Sequence, residues 1–341
     1  MSTSSKVTIS FSDGVERQFF ALPGQNVLEA ALKEDVPVLH QCRSGSCSSC
    51  LAKLVEGKAD TLAGASSTLI PSEKAQGLRL LCVTEALSDC TFQLGYDSAV
   101  GTNQATEAKA FVNAIDRLAD DVVRLELELA EGDWFEFRPG QFIQIKVPGT
   151  DAVRSYSMAS TPADLPRIEL LIRLLPGGVM STWLLEGAKI DDVLEISGPY
   201  GQFFLKEGEK APHIMIAGGT GLAPMMSMID ALRMRSGRKP KMLLSFGCQT
   251  QGSLFHLDAI ELRQQWLPQL DVQLSVDRGP APSGVRVGNP VEVIGASEPL
   301  DPDSVAYLCG PPGMIDAARR HLEQLGLASE NIFAEQFVAS Q

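Results

Sequence analysis

The sequence predicts a multidomain protein in which an α+β domain is followed by an antiparallel β-barrel and then by an α/β domain with a parallel sheet. Three observations predict this order: a cysteine-rich loop among strand-like segments, a run of short strands with turns between them, and a final alternation of strands and helices. A chain of 341 residues allows each domain its own core. We expect the domains at 1–96, 109–206 and 207–341, with a polar linker at 97–108.

The first domain shows strand, turn and helix signals in close succession. Asp13 and Gly14 form a hairpin turn signal between two alternating segments. Asn26 is a suitable N-cap for the helix that follows, because its side-chain oxygen can accept a hydrogen bond from an amide of the first turn. The predicted strands lie at 7–11, 15–22 and 51–56, and the predicted helix lies at 27–32.

Thiols with a characteristic spacing follow this helix. Cys42, Cys47 and Cys50 are spaced C-x4-C-x2-C, and Cys82 lies downstream. This is the spacing of plant-type [2Fe–2S] ligation, in which two irons take four thiolates. Glycine and serine between the thiols leave room for a cluster and let backbone N–H groups approach the sulfur atoms. A zinc site and a disulfide knot are the alternatives, but zinc usually takes two C-x2-C pairs, and only Cys47 and Cys50 form one.

The middle of the chain carries strands of the kind that close into an antiparallel barrel. Two of its segments are candidate binding sites: 154–157, with the sequence Arg-Ser-Tyr-Ser, and 178–181. The second segment opens a predicted helix after a glycine pair, where backbone N–H groups form an anion site. The predicted strands lie at 111–115, 122–129, 142–147, 168–174 and 193–197.

The last domain alternates apolar strands with helices, which predicts an open parallel sheet with its ligand at the carboxyl ends of the strands. The apolar strand 213–217 runs into the glycine-rich turn 218–221, and a helix follows. Another apolar strand leads into Cys309 and Gly310. By itself, the glycine-rich turn is a weak signal, since it is not G-x-G-x-x-G.

Composition excludes several classes of partner. The net charge of −13 argues against nucleic acid and anionic membranes as partners, although it would suit a partner with a basic patch. No apolar run has the length of a membrane span, and the first residues lack the apolar core of a signal peptide. Cys90, Cys248 and Cys309 remain beyond the four spaced thiols, and an odd number of free thiols indicates a reducing cytoplasm.

These motifs, in this order, resemble the ferredoxin–NAD(P)+ reductase superfamily with a plant-type ferredoxin of β-grasp fold fused at the N-terminus. The resemblance covers essentially the whole chain and is nearest to the reductases of benzoate-type dioxygenases. It implies an oxidoreductase with FAD, a [2Fe–2S] cluster and NADH as cofactors and a terminal oxygenase as its partner. It also implies that Cys42, Cys47, Cys50 and Cys82 are the cluster ligands.

The resemblance further implies which residues contact the flavin. Arg154 would pair with the FAD pyrophosphate, Tyr156 would stack on the isoalloxazine ring, and Ser157 would hydrogen-bond near flavin N5. On residues alone, a surface ion pair for Arg154 and a half-buried strand aromatic for Tyr156 are the favoured interpretations. The full set of implied FAD contacts is Arg154, Ser155, Tyr156, Ser157, Gly178, Val179, Met180 and Ser181.

For the nicotinamide coenzyme, the resemblance implies pyrophosphate contacts from the glycine-rich turn and a nicotinamide-side place for Cys309. The alternatives are an ordinary strand-to-helix turn and a buried inert thiol. Phe337 resembles the C-terminal aromatic that covers the flavin, although four residues follow it here and a core aromatic is an equal alternative. The implied NAD contacts are Gly218, Gly219, Thr220, Gly221, Cys309 and Gly310. The implied catalytic residues are Ser157, Cys309 and Phe337.

The coenzyme is expected to be NADH, because residues 247–251 contain no Lys or Arg to hold a 2′-phosphate. Gln249 stands where NADH-dependent relatives often have Arg. The expected reaction takes a hydride from NADH to FAD, then single electrons to the cluster and on to an external dioxygenase in aromatic compound degradation. The alternatives are the reductase of a multicomponent monooxygenase and a redox sensor.

Overall fold

The computed structural model describes residues 4–102, 105–131, 136–206, 210–292, 294 and 300–337. The chain forms two compact units, a first unit of residues 1–105 with 200–202 and a second unit of residues 106–199 with 203–341. Within the described ranges, no helix is long and apolar enough to cross a lipid bilayer.

The first unit has a mixed sheet with the strand order β2-β1-β7-β3-β5, in which β1 pairs parallel with β7 and antiparallel with β2. Helix α1 buries Val27, Leu28 and Ala31, and the Asn26 side chain accepts from the Glu29 amide at 2.8 Å, so the predicted N-cap is confirmed. The elements are β1 (Ser5–Ser10), β2 (Glu16–Ala21), α1 (Val27–Lys33), β3 (Leu51–Glu56), β4 (Ala59–Thr61), α2 (Pro71–Ala75), β5 (Leu78–Leu80), β6 (Thr84–Ala86), β7 (Cys90–Gln93) and α3 (Ser98–Thr102).

The segment 97–108 contains more structure than a polar linker requires. Helix α3 lies within it, and the next strand begins at Thr106. The Ser98 amide and hydroxyl donate to Asp13 Oδ2 at 3.0 and 2.7 Å. Val100 is buried, and a Cβ on Gly101 would overlap the Pro37 carbonyl. The small residues at 98–101 therefore pack closely within the first unit.

The second unit begins with the antiparallel barrel that the sequence predicts. Its strand order is β11-β10-β13-β8-β9-β12, and the end strands meet where Met158 bridges to Leu170. Buried aliphatic side chains such as Leu125, Ile143 and Ile168 fill the interior. The elements are β8 (Thr106–Ala119), β9 (Val122–Leu129), β10 (Phe142–Lys146), β11 (Val153–Ser157), β12 (Arg167–Arg173), α4 (Val179–Glu186) and β13 (Val193–Tyr200).

The rest of the second unit is a parallel sheet with the order β17-β16-β15-β14-β18-β19, as the strand and helix alternation predicts. The central strands are buried throughout, which explains why they are continuously apolar. The elements are β14 (His213–Gly218), α5 (Leu222–Met234), β15 (Met242–Cys248), α6 (Leu257–Trp266), β16 (Leu270–Val276), β17 (Val285–Val287), β18 (Val305–Gly310), α7 (Pro312–Gln324) and β19 (Ile332–Gln336).

Candidate functional site

The four spaced thiols lie together in the first unit. The Cys42 thiol contacts those of Cys47 and Cys82, and Cys82 also contacts Cys50. Hydrogen bonds from Cys47 and Cys82 hold the pKa of Cys42 far below its usual range, and the bond with Cys82 lowers the pKa of Cys50. The bonds with Cys42 raise the pKa of the Cys47 and Cys82 thiols in turn. The structure thus joins Cys82 to a loop more than thirty positions earlier in the chain and favours the thiolate, the form of cysteine that binds metal, at Cys42 and Cys50.

We call residues 42–50 the cluster loop. The amides of Ser44, Ser46 and Cys47 approach the Cys42 sulfur at 3.4 Å, and the Cys42 amide approaches the Cys47 sulfur at the same distance. Gly45 has a φ of +77°, and a Cβ there would overlap the Ser66 carbonyl and lie 3.2 Å from the Val83 side chain. Glycine at position 45 is therefore required by the close backbone packing of the loop.

The thiols of the cluster loop together with that of Cys82 fit a [2Fe–2S] cluster, which needs four thiolates and benefits from N–H groups near the sulfur atoms. The thiols contact one another in pairs. As they stand, no three His, Cys, Asp or Glu side chains among the described residues form a group that could hold a metal ion. Two irons with two thiolates each would take the place of these sulfur contacts.

Gln202, which belongs to the first unit, contacts the end of the cluster loop. Its side-chain amide nitrogen lies 3.0 Å from the Ser48 carbonyl, 3.3 Å from that of Ser49 and 2.9 Å from that of Leu51. An amide has two N–H groups, so the three carbonyls share them. Sequence reasoning assigned Gln202 no role, and nothing in its local sequence indicates this contact.

In the second unit, β11 carries the predicted flavin residues Arg154–Ser157 at one end of the strand order. Arg154 and Tyr156 share one face of the strand, whereas Ser155 and Ser157 point to the other. Burial raises the pKa of the Tyr156 phenol, and the Arg154 charge opposes that shift. The neighbouring guanidinium and half-buried ring suit a phosphate and an aromatic face respectively.

Helix α4 begins one residue after Gly178, which is its N-cap. The Met180 and Ser181 side chains are buried, and the Ser181 hydroxyl oxygen accepts from the Leu175 amide at 2.8 Å. The first N–H groups of a helix have no partner within the helix, so they can bind an anion. In this segment, the groups that suit a pyrophosphate are therefore the backbone amides of Val179, Met180 and Ser181 more than the Ser181 oxygen.

Ser157 faces the parallel sheet and contacts a carboxyl group there. Its hydroxyl donates to Glu335 Oε2 at 3.1 Å, and both side chains are buried. Burial raises the pKa of Glu335 to about 8, although the hydrogen bond from Ser157 opposes the shift. Cys309 on β18 lies beside Glu335 on the neighbouring strand β19. Burial, and secondly the Glu335 charge, raises the pKa of the Cys309 thiol. We call these three side chains the Ser157–Glu335–Cys309 group.

Glu335 is the functional candidate that sequence reasoning missed. A carboxyl group with a pKa near neutrality can hold or release a proton at working pH, and such groups concentrate at functional sites. The signal was present as a single acidic residue after three apolar residues in the last strand, two positions before Phe337. The Phe337 amide donates to the Gly310 carbonyl at 2.9 Å, and its side chain packs against the core of the second unit. The residues after Phe337, 338–341, lie outside the described ranges.

The glycine-rich turn lies directly against the end of β18. A Cβ on Gly221 would overlap the Cys309 carbonyl, and one on Gly218 would lie 2.8 Å from Met314 Sδ. Gly219 has a φ of +55° and faces open space, where a phosphate could approach the backbone. The structure therefore brings the predicted motif 218–221 together with Cys309 and Gly310 at the carboxyl ends of adjacent strands.

The loop expected at the adenosine end of the coenzyme follows β15. Burial, with the Asp121 charge second, raises the pKa of the Cys248 thiol to about 12. The Arg278 amide donates to the Gln249 carbonyl at 3.1 Å. Residues 247–251 contain no basic side chain, but the fold brings the backbone of Arg278, whose side chain is exposed, next to Gln249.

The chain matches three family models in the order that the sequence analysis expects. They are a 2Fe-2S iron-sulfur cluster binding domain over residues 10–87, an oxidoreductase FAD-binding domain over 109–205 and an oxidoreductase NAD-binding domain over 215–320.

Relatives with assigned functions match over almost the whole chain. The reductase component of propane 2-monooxygenase from Rhodococcus jostii (strain RHA1) is 33% identical, over 92% of this chain and 86% of the relative. The electron transfer component of toluate 1,2-dioxygenase from Pseudomonas putida is 31% identical, over 98% and 99%. Among solved structures, the Amycolatopsis cytochrome P450 reductase GcoB superposes with a TM-score of 0.72 at 29% identity, covering 97% of this chain and 98% of that one.

Proposed function

Because this chain belongs to the ferredoxin–NAD(P)+ reductase-type electron-transfer components of oxygenase systems, we propose that it delivers electrons from NADH to the terminal oxygenase of a system that oxidises an aromatic ring. The protein is an oxidoreductase, and its cofactors are FAD, a [2Fe–2S] cluster and NADH. When bound, FAD accepts a hydride and releases single electrons, which the cluster can carry one at a time.

The observation that carries the proposal is the convergence of the Ser157–Glu335–Cys309 group with the glycine-rich turn in one unit. Ser157 and Cys309 come from two different motifs, and Glu335 lies next to both. Gly221 packs against Cys309, so the glycine-rich turn and β11 face a common region of the second unit. There the residues can orient a nicotinamide and a flavin, exclude water and hold a proton on Glu335.

The identity of the oxygenase is the finer part of the proposal. An aromatic-ring dioxygenase of the benzoate type is supported by the likeness to the toluate 1,2-dioxygenase component. A multicomponent monooxygenase is the second candidate, supported by the propane 2-monooxygenase reductase at 33% identity. The toluate component is matched over 98% of this chain and 99% of its own length, against 92% and 86% for the propane reductase, so the dioxygenase is the first candidate and activity with a partner tests it.

The first test is an anaerobic titration of the purified holoprotein, with NADH and NADPH in parallel and visible spectra recorded throughout. We expect flavin and cluster bands that bleach at far lower concentrations of NADH than of NADPH. Flavin absorption without cluster absorption would contradict the ligand set Cys42, Cys47, Cys50 and Cys82. Intact cofactors that neither nucleotide reduces would contradict the enzyme and favour the redox sensor.

The second test pairs the reduced protein with purified terminal oxygenases. A benzoate-type dioxygenase with benzoate and a propane-type monooxygenase with propane are assayed side by side, and the protein's own cytochrome c reduction serves as the common reference. We expect dihydrodiol formation in the first arm at a rate well above that of the second. Hydroxylation in the monooxygenase arm alone would overturn the aromatic-ring proposal and leave the NADH-dependent reductase intact.

A further inference from the structure

Ser227 connects α5, the helix that follows the glycine-rich turn, to the segment that runs from Ser157 to Ser160. Its hydroxyl donates to the Ser160 carbonyl at 2.6 Å, and both residues are buried. Ser227 lies on α5, the helix that begins directly after the glycine-rich turn. Ser160 lies three positions after Ser157. One short hydrogen bond therefore links the two parts of the second unit that are expected to hold NADH and the flavin.

The segment from Ser157 to Ser160 is otherwise anchored within the barrel. The Met158 amide donates to the Gln141 carbonyl at 3.1 Å, and the Ala159 amide donates to the Glu169 carbonyl at 2.8 Å. The Glu169 amide donates in return to the Ser160 hydroxyl at 3.0 Å. The segment is thus held along its length by the barrel, and at its two ends it contacts Glu335 on β19 and Ser227 on α5.

We propose that Ser227 is a positioning residue for hydride transfer, which sets the position of α5 and its glycine-rich turn relative to the Ser157 segment. This inference rests on the proposed transfer of a hydride from NADH to FAD. Hydride transfer requires close and oriented reactants, and a misplacement of about 1 Å can slow a reaction roughly a hundredfold. A close-packed interior transmits such a shift, because α5 is buried along most of its length.

Ser245 provides a matched control for the stability that a buried serine hydrogen bond contributes. It is also fully buried, and its hydroxyl donates to the Pro290 carbonyl at 2.6 Å. Ser245 lies on β15 of the parallel sheet, but its acceptor lies outside the Ser157–Ser160 segment. Replacing either serine with alanine leaves one buried carbonyl without this donor, so a purely structural role predicts similar effects in both variants.

The test compares the full-length holoproteins Ser227→Ala and Ser245→Ala with the wild type. Hydrogen–deuterium exchange of the 153–161 segment reports whether the link has been lost, independently of activity. Stopped-flow flavin reduction with NADH and with NADH deuterated at the transferred position gives the hydride rate and its isotope effect. Melting temperature and NADH affinity report stability and binding.

We expect similar losses of melting temperature in both variants. In Ser227→Ala alone, the amides of Met158 and Ala159 exchange faster, the hydride rate falls about tenfold or more, and the isotope effect changes. NADH affinity stays within about twofold, because the coenzyme contacts themselves are intact. If Ser227→Ala does not fold, Ser227→Cys keeps a weak donor of similar size and is expected to show intermediate values.

Equal hydride rates, isotope effects and exchange in the two alanine variants would overturn the role of Ser227. So would a lower NADH affinity that accounts for the whole change in rate. A wild-type holoprotein whose flavin is not reduced by NADH would overturn the proposed function itself. The two failures are distinguishable, because the second appears before any substitution is made.

Discussion

The cluster loop and the Ser157–Glu335–Cys309 group are assembled in opposite ways. The cluster site takes three of its four thiols from the cluster loop, and amides of the same loop approach the Cys42 sulfur. The Ser157–Glu335–Cys309 group takes its side chains from β11, β18 and β19, and the contact between Ser157 and Glu335 joins residues 178 positions apart. One site is mainly a local structure, and the other exists only when two layers of the second unit are in place.

The difference teaches where each site is vulnerable. The cluster loop depends on small residues and on backbone conformations that favour glycine, so a substitution within the loop is expected to damage it directly. The Ser157–Glu335–Cys309 group depends on strand register and burial, so its chemistry is sensitive to the environment of the second unit. Four variants test this contrast, and the one with the largest expected effect comes first.

Replacing Cys82 with serine is expected to remove the cluster, because the remaining three thiolates cannot complete the ligation of two irons. Reduction of cytochrome c and of an oxygenase should fall to background, while NADH should still reduce the flavin. Iron and sulfide content together with stopped-flow spectra measure both results. Cys90→Ser is the control, since the Cys90 thiol donates to the Lys58 and Ser88 carbonyls at 3.1 Å and a hydroxyl can do the same. Full iron content in Cys82→Ser would contradict the assignment of Cys82 as a cluster ligand.

Gly45→Ala and Gly64→Ala separate backbone strain from packing in the first unit. Both glycines have a positive φ, +77° and +80°, so alanine costs about 1 kcal/mol at either position. Only at Gly45 would the new Cβ overlap another group, the Ser66 carbonyl, whereas Gly64 faces open space. We expect Gly45→Ala to lose its cluster absorbance in air at least about tenfold faster than Gly64→Ala. Equal rates of loss would show that close packing of the cluster loop has no bearing on cluster retention.

Glu335→Gln tests the burial of the Ser157–Glu335–Cys309 group through its dependence on pH. The pKa of Glu335 is raised from 4.5 to about 8, so the native state binds a proton that the unfolded state has released between these values. Stability from this residue is therefore present below about pH 4.5 and is lost as the pH rises through 8, by about 1.4 kcal/mol per pH unit in that window. Glutamine does not titrate, so the variant should lose less stability over the same range.

Denaturation midpoints of wild type and Glu335→Gln, measured from about pH 5.5 to about pH 9, check this expectation. Titration of Glu169 does not contribute to the pH dependence of stability in this range. Burial opposes its charge, but hydrogen bonds from His256 and Arg124 outweigh burial and lower its pKa to about 2, so its contribution is lost only as the pH falls below about 4.5. A constant difference between wild type and variant across the range would mean that Glu335 does not titrate there.

Arg278→Ala has the smallest expected effect and tests whether the fold supplies a charge that residues 247–251 lack. Loss of this side chain should leave the KM for NADH within about twofold and raise the KM for NADPH by several-fold, since the Arg278 backbone lies next to Gln249 and a guanidinium is suited to hold a 2′-phosphate. Steady-state kinetics with both coenzymes measure the result. Arg238→Ala is the control, because Arg238 is exposed in the loop before β15, at the opposite end of a parallel strand. If NADPH kinetics are unchanged, Arg278 has no part in coenzyme choice.

Sequence reasoning performed best where the signal was local. The thiol spacing, the Asn26 cap and the alternation of apolar strands with helices each depend on near neighbours, and the structure has the corresponding elements. At 97–108, a composition typical of linkers forms helix α3 and the start of β8. Small residues permit both flexibility and close packing, and composition alone does not distinguish them.

By itself, the sequence determined the order of the domains' elements and the residues of the cluster loop, because hydrophobic period and ligand spacing act over short distances. FAD and NADH followed from the resemblance of its motifs to a known family. Only the tertiary structure decided that the Ser157 hydroxyl donates to Glu335, that the Arg278 amide donates to the Gln249 carbonyl and that the Ser227 hydroxyl donates to the Ser160 carbonyl. These contacts follow from the register of parallel strands and from the packing of α5 against the barrel, and neither is encoded in any single segment of the chain.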